Sequence, residues 1–149
     1  MPIHLAALNK FDGPSVIQLL LEWGADVNSI DEQFYTPLAL AVICCNVNAV
    51  RELLAASADV NAITDLQTAL IRTAQALNVG VASSTYVPGY FRTLHYAAEA
   101  NSFQGVKLLL EHGAKPEIGN LKGQMPVDLT KSDVIGSLLR NFKRQFAHR

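Results

Sequence analysis

Two histidines stand beside acidic residues in one stretch of the chain, TLHYAAEANSFQGVKLLLEHGAKPE, which runs from Thr93 to Glu117. His95 precedes Glu99 by four residues, and His112 directly follows Glu111. Imidazole and carboxylate groups are common partners in proton transfer and in zinc coordination. A zinc site would need ligand spacings such as HxxxH or CxxC, and the sequence contains neither. The stretch therefore raises an acid/base hypothesis that the surrounding elements must test.

Other reactive residue types give no constellation. Cys44 and Cys45 are adjacent and have no second pair, so they predict neither a disulfide framework nor a zinc site. The sequence has no GxGxxG motif, no Walker loop and no HExxH motif. We therefore expect no catalytic residue, no metal ligand and no cofactor, which disfavours an enzyme.

Composition and charge predict a folded protein with two unlike halves. Half of the residues are hydrophobic, and 17% are charged. Residues 1–70 carry eight acids against two Lys or Arg, whereas residues 71–149 carry five acids against ten. No apolar run approaches the roughly 18 residues that a membrane span requires, and the N-terminus is a poor signal peptide. We expect a cytoplasmic or nuclear protein with no membrane span.

Three segments of the chain share one leucine-rich pattern. They are IQLLLEWGADVN (Ile17 to Asn28), VRELLAASADVN (Val50 to Asn61) and VKLLLEHGAKPE (Val106 to Glu117). The first two are 33 residues apart. A second pattern occurs in five copies, which are PIHLAA, PLALAV, ALIRTA, TLHYAA and PVDL. The last two copies are again 33 residues apart. A fixed period of this length predicts one supersecondary structure that is repeated along the chain.

These motifs resemble the ankyrin-repeat family, which has a 33-residue period and a Thr-Pro-Leu-His-x-Ala signature. The signature stands here at Thr36–Ala41, at Pro2–Ala6 and at Thr93–Ala97. The resemblance covers about residues 1–142. It implies an all-α ankyrin-repeat solenoid of helix-turn-helix units with β-turn fingers.

We predict an ankyrin-repeat domain of about five units, followed by a basic tail. The boundaries are 1–33 for unit 1, 34–66 for unit 2, 67–90 for an irregular unit 3, 91–123 for unit 4, 124–142 for unit 5, a short cap, and 143–149 for the tail. Thr36 should cap a first helix, and Gly24 and Gly113 should end second helices in a left-handed conformation. Leucines such as Leu20, Leu53 and Leu109 should be buried between units.

Unit 3 departs from the pattern, because only 24 residues separate Ala69 from Thr93. Its last part, NVGVASSTYVPGY, contains no leucine-rich end. Two interpretations of residues 79–90 stay open: a truncated repeat, or a specialised loop that presents aromatic side chains to a partner. Because the chain opens directly on a signature motif, we also expect it to be a fragment of a longer array.

The repeat assigns His95 and His4 to one position of the signature. Other units carry Ala39, Ile71 or Asp128 at that position. A chemical role would not tolerate these exchanges within one chain, so we predict a structural role. The family resemblance implies that this histidine bonds backbone groups near the finger turn.

The resemblance also implies a non-enzymatic module that binds a protein partner on its concave surface of fingers and first helices, as a scaffold, adaptor or regulator. We expect a monomer without a cofactor. The variable positions of the units are the expected partner-binding residues: Glu32, Gln33, Tyr35, Ile43, Cys44, Asp65, Leu66, Gln67, Gln75, Tyr90, Phe91, Glu99, Leu121 and Lys122.

Two alternatives and one modification remain as hypotheses. In the first alternative, the chain is a substrate-recruiting subunit of a ubiquitin ligase. In the second, its basic C-terminal tail binds nucleic acid or an acidic surface. The tail carries few cations, so nucleic acid is not the expected partner. The resemblance finally implies asparagine hydroxylation at Asn28 or Asn61, each of which follows a leucine by eight residues.

Overall fold

The computed structural model describes residues 1–62, 92–120 and 122–146, with side chains as far as Phe142. Within these ranges the chain forms eight helices. They are α1 (Pro2–Leu8), α2 (Gly13–Glu22), α3 (Pro37–Ile43), α4 (Val47–Ala55), α5 (Thr93–Glu99), α6 (Phe103–Glu111), α7 (Pro126–Leu129) and α8 (Asp133–Phe146). None of these helices is long and apolar enough to cross a membrane.

The helices form hairpins that stack side by side, which confirms the predicted all-α solenoid. The pairs α1/α2, α3/α4, α5/α6 and α7/α8 fall in units 1, 2, 4 and 5, respectively. In the last unit, α8 continues beyond residue 142, where we placed the end of the cap. All of unit 3, residues 67–90, lies outside the described residues, and with it the two interpretations of residues 79–90.

The expected residues begin and end the helices. Thr36 Oγ1 accepts a hydrogen bond from the backbone N–H of Ala39 at 3.2 Å, which caps α3. Gly24 and Gly113 have φ values of 82° and 88° after α2 and α6. The same position after α4 is Ser57, with a φ of 64°. This left-handed turn is therefore a property of the repeat that glycine favours but does not strictly require.

Units 2 and 4 are direct neighbours in the stack. Helix α3 packs on α5, and α4 packs on α6. The side chain of Asn61 donates to Gly113 O at 3.1 Å and accepts from the backbone N–H of Lys115 at 3.2 Å. Unit 4 packs on unit 5 through α5 with α7 and α6 with α8.

The leucine seam is buried at the inner units only. Leu53 and Leu109 are fully buried, as predicted. Leu20 is only half-buried, so the prediction that it is an inner seam residue is wrong. Helix α2 packs on α1 and α4, whereas side chains of its outer face such as Leu19 and Trp23 are 49% and 81% exposed. Equivalent leucines thus differ in burial because a neighbouring unit covers only one side of unit 1 within the described chain.

Candidate functional site

The two signature histidines join first helices to the fingers through hydrogen bonds. His4 Nε2 donates to Tyr35 O at 3.0 Å, and His95 Nε2 donates to Gln124 O at 3.2 Å. His95 Nδ1 accepts from the backbone N–H of Arg92 at 3.2 Å, which fixes its tautomer. Both side chains are at least 98% buried. The structural role that the repeat predicts for this position is confirmed.

The environment of His95 favours its neutral form. Burial lowers the pKa of the imidazole below the ordinary value of 6.5, and the positive charge of Arg92 acts in the same direction. The hydrogen bond to Gln124 opposes this shift without cancelling it. The imidazole is therefore uncharged at neutral pH, as its hydrogen bonds to two backbone groups require.

This shift predicts that the protein becomes less stable in mild acid. Between the lowered folded-state pKa and about 6.5, the unfolded chain binds more protons on His95 than the folded chain does. The free energy of unfolding should therefore fall as the pH decreases below about 6.5. Urea unfolding at a series of pH values would measure the slope.

The matched controls are His95→Gln, which keeps a donor for the Gln124 carbonyl, and His112→Gln, which removes a surface histidine. The slope should flatten in the first variant and persist in the second. An unchanged slope in His95→Gln would show that other groups carry the pH dependence.

A metal site finds no support in the part of the chain that the structure describes. Residues 1–62, 92–120 and 122–142 contain no group of three or more His, Cys, Asp or Glu side chains that could hold a metal ion. Cys44 and Cys45 are free thiols, half-buried and exposed, respectively. The acid/base hypothesis for His95 also finds no support, because both ring nitrogens of His95 bond backbone groups.

An apolar groove with a volume of about 530 Å³ lies between α1 and the finger that leads into unit 2. Its apolar residues include Leu5 at 67% exposure and Leu8 at 41%. The two leucines line the same groove, and contiguous exposed apolar surface of this kind marks interaction sites. The full lining is Met1, His4, Leu5, Leu8, Ile30, Asp31, Glu32, Gln33, Tyr35 and Leu40.

The two walls of the groove are held in place by the repeat itself. Helix α1 turns Ile3, Ala6 and Ala7 into the core, which leaves Leu5 and Leu8 on the outside. On the finger, Asp31 Oδ1 accepts from the backbone N–H groups two and four residues further on, at 3.0 and 2.9 Å. The bond from His4 to Tyr35 O then ties the finger to α1. The groove is thus formed before any partner binds.

Beyond the groove, the first helices of the next units carry apolar side chains at positions equivalent to Leu5 or Leu8. Tyr35 and Tyr96 make an edge-to-face contact with ring centroids 5.9 Å apart, which joins units 2 and 4 on this side. Ile43, at the end of α3, is 38% exposed. The first helices therefore present a row of apolar side chains from unit 1 to unit 4.

The structure brings together only some of the predicted partner-binding residues. Glu32, Gln33 and Tyr35 line the groove, while Ile43 and Cys44 lie at the end of α3. Two further predicted residues, Glu99 and Lys122, are exposed elsewhere. The others lie outside the described residues: Asp65, Leu66, Gln67, Gln75, Tyr90, Phe91 and Leu121.

Sequence reasoning missed the aliphatic wall of the groove. Leu5 and Leu40 occupy the variable position of the signature, directly after His4 and Ala39, and Tyr96 is their counterpart in unit 4. That position lies on the outer side of the first helix, one residue from the buried signature histidine. A comparison of this position across the units could have found the wall.

The two candidate hydroxylation sites act as links between units. Asn28 Oδ1 accepts from the backbone N–H of Asp59 at 2.8 Å, which joins unit 1 to unit 2. Asn61 makes the two bonds to unit 4 described above. Asn28 is exposed and Asn61 is half-buried.

Hydroxylation of these asparagines stays a prediction, and the structure sharpens it. On co-expression with an asparaginyl hydroxylase, we expect Asn28 to gain one oxygen atom to a greater extent than Asn61, because it is more exposed and makes one inter-unit bond. Peptide mass spectrometry would measure both sites, with the buried Asn46 as an internal control. Unmodified peptides over both sites would contradict the prediction.

Comparisons with known proteins agree with this architecture. A family model for ankyrin repeats in three copies matches residues 2–84, and a model for a single ankyrin repeat matches residues 93–121. The chain is 47% identical over 45 residues to a putative ankyrin repeat protein of Fowlpox virus (strain NVSL), a match that covers 30% of this chain and 8% of that protein.

A second relative matches along more of the chain. It is a mitochondrial disaggregase of Bos taurus, 32% identical over 143 residues, and the match covers 87% of this chain and 21% of that protein. The chain spans less than a quarter of the length of either relative. The family matches, the stacked hairpins and the signature histidines on their finger carbonyls agree: this chain belongs to the ankyrin-repeat family.

Proposed function

We propose that this chain is a protein-binding module that holds a protein partner on its concave surface of fingers and first helices. It acts as a scaffold, adaptor or regulator and catalyses no reaction itself. Ankyrin-repeat domains are typically interaction modules of this kind. The observation that carries the proposal here is the exposed, preformed apolar groove beside α1.

Physical chemistry favours a partner in this groove. Complete burial of a leucine side chain stabilises by about 1.5–3 kcal/mol, and Leu5 leaves two-thirds of its surface in water. A partner that covers Leu5 and Leu8 removes this apolar surface from water. Because the finger and α1 are already fixed to each other, little ordering free energy is lost on binding.

The rest of the proposed surface follows the first helices toward unit 4. It contains Ile43, Cys44 and Glu99, with Tyr96 between the units. The groove supplies the apolar contact area, and the more polar positions at the helix ends supply selectivity. No observation on the described residues favours a ubiquitin-ligase role. The side chains of the tail, 143–149, lie outside the described residues.

Two charged residues in place of the exposed leucines of the groove should abolish partner binding while the fold persists. We expect a Leu5→Glu, Leu8→Glu variant to lose the proteins that the wild-type chain captures, because two desolvated carboxylates would face an apolar partner. Affinity capture with quantitative mass spectrometry would measure the loss, and circular dichroism would verify the fold.

The matched control is Leu19→Glu, which places the same charge on an exposed leucine of α2 outside the groove. It should retain the captured proteins. If all three chains captured the same proteins in equal amounts, the concave surface would not be the binding surface.

A further inference from the structure

Two fingers of the solenoid share two side-chain hydrogen bonds but differ in charge, and the Asn120 amide donates one further bond to Gln124 Oε1 at 3.1 Å. In the first, Asp31 Oδ1 accepts from the backbone N–H groups two and four residues further on. In the finger between units 4 and 5, Asn120 Oδ1 accepts from the equivalent groups at 2.9 and 3.0 Å. A neutral amide is therefore sufficient to hold this turn. The turn does not require the negative charge of Asp31.

That charge lies at the edge of the apolar groove. Oδ2 of Asp31 accepts no hydrogen bond within the described part of the chain, and the neighbouring Glu32 is exposed. No lysine or arginine of the described residues lines the groove. Residues 1–62 carry seven carboxylates against only Lys10 and Arg51, so the surrounding field is also negative.

The two exposed leucines of α1, Leu5 and Leu8, have a spacing that suits an extended peptide. Leu5 and Leu8 are one helical turn apart, which places their Cβ atoms roughly 5–6 Å from each other. Alternate residues of an extended chain point to one side at intervals of roughly 6–7 Å. Two such side chains can therefore pack along α1 while the residue between them faces the finger.

We propose that the groove binds an extended peptide segment of a partner protein in which an apolar side chain stands next to a lysine or arginine. The apolar side chain packs against Leu5, Leu8 and Ile30, and the cation pairs with Asp31 or Glu32. This proposal rests on the proposed function and adds the chemistry of the partner. The same carboxylates repel the phosphates of nucleic acid and of anionic lipid, so a peptide with a cation is the favoured occupant of the groove.

Selection of a random-peptide display library on the full chain tests the proposal. We expect the recovered peptides to share an apolar residue within two positions of a lysine or arginine. Synthetic copies of these peptides, labelled with a fluorophore, then serve as probes for fluorescence polarisation. Binding should weaken as salt increases, because the ion pairs lie at the surface.

Charge-neutral variants separate the ion pair from the apolar contact. Asp31→Asn, Glu32→Gln removes both charges and keeps the turn, since Asn120 already performs this role in the other finger. We expect this variant to bind the probes up to about fivefold more weakly and with less salt dependence, because it loses one surface ion pair. Leu5→Glu, Leu8→Glu should abolish binding.

The outcomes distinguish this proposal from the proposed function. Peptides without cations, no recovered peptide, or affinities that the charge-neutral variant leaves unchanged would overturn the proposal. If the peptides instead lose affinity only in Ile43→Glu or Glu99→Lys, the concave surface binds partners at another place, so the proposed function stands without this inference. If no concave variant affects binding, both fail.

Discussion

The Leu53→Ala and Leu109→Ala variants should each lose about 2–5 kcal/mol of unfolding free energy. Both leucines are completely buried, in second helices that pack on each other across the seam between units 2 and 4. Truncation removes buried methyl and methylene groups and leaves a cavity that rigid neighbouring helices fill only in part. Denaturant unfolding with linear extrapolation would measure the loss.

The matched control is Leu20→Ala, the same exchange at the equivalent position of unit 1. Leu20 is half-buried, so this variant should lose clearly less than the two inner ones. A loss at Leu20 equal to that at Leu53 would mean that the outer unit is as well covered as the inner ones. Losses below about 0.5 kcal/mol at both inner sites would mean that the seam is not the core.

The sequence predicted what the described units have in common. The 33-residue spacing located the hairpins, Thr36 located a helix start, and Gly24 and Gly113 located left-handed turns. These features depend on contacts within a few residues of each other, so the local pattern is sufficient. Leu20 was misassigned because its burial depends on neighbours on both sides of the unit, and a repeat pattern contains no such information.

The candidate site likewise contains residues that the sequence predicted and residues that it did not. Glu32, Gln33 and Tyr35 were predicted because fingertips are the variable part of the repeat. Leu5 was missed because it resembles any helix leucine, and it becomes a groove residue only where the finger of the next unit faces it. The charge of Asp31 could not be interpreted from the sequence, because only the structure shows that Asn120 makes the same turn without a charge.

The order of the units depends on contacts that the period cannot show. Asn28 bonds a residue 31 positions further along the chain, as expected of successive units. Asn61 bonds residues 52 and 54 positions further along. Arg92, at the start of α5, adds a bond from its guanidinium to Asn61 O. The backbone and side chain of one asparagine therefore join units 2 and 4.

Asn61→Ala should consequently destabilise the protein by about 1–3 kcal/mol, and more than Asn28→Ala does. It removes an acceptor for Lys115 N and a donor for Gly113 O, two hydrogen bonds that contribute about 0.5–1.5 kcal/mol each. Asn28→Ala removes only one hydrogen bond, at an exposed position, so its loss should be about half as large. Asn61→Asp keeps the acceptor and loses only the donor, so its unfolding free energy, measured in denaturant, should lie between those of wild type and Asn61→Ala. Equal losses for Asn28→Ala and Asn61→Ala would show that the second side-chain hydrogen bond of Asn61 adds nothing to the stability of the seam between units 2 and 4.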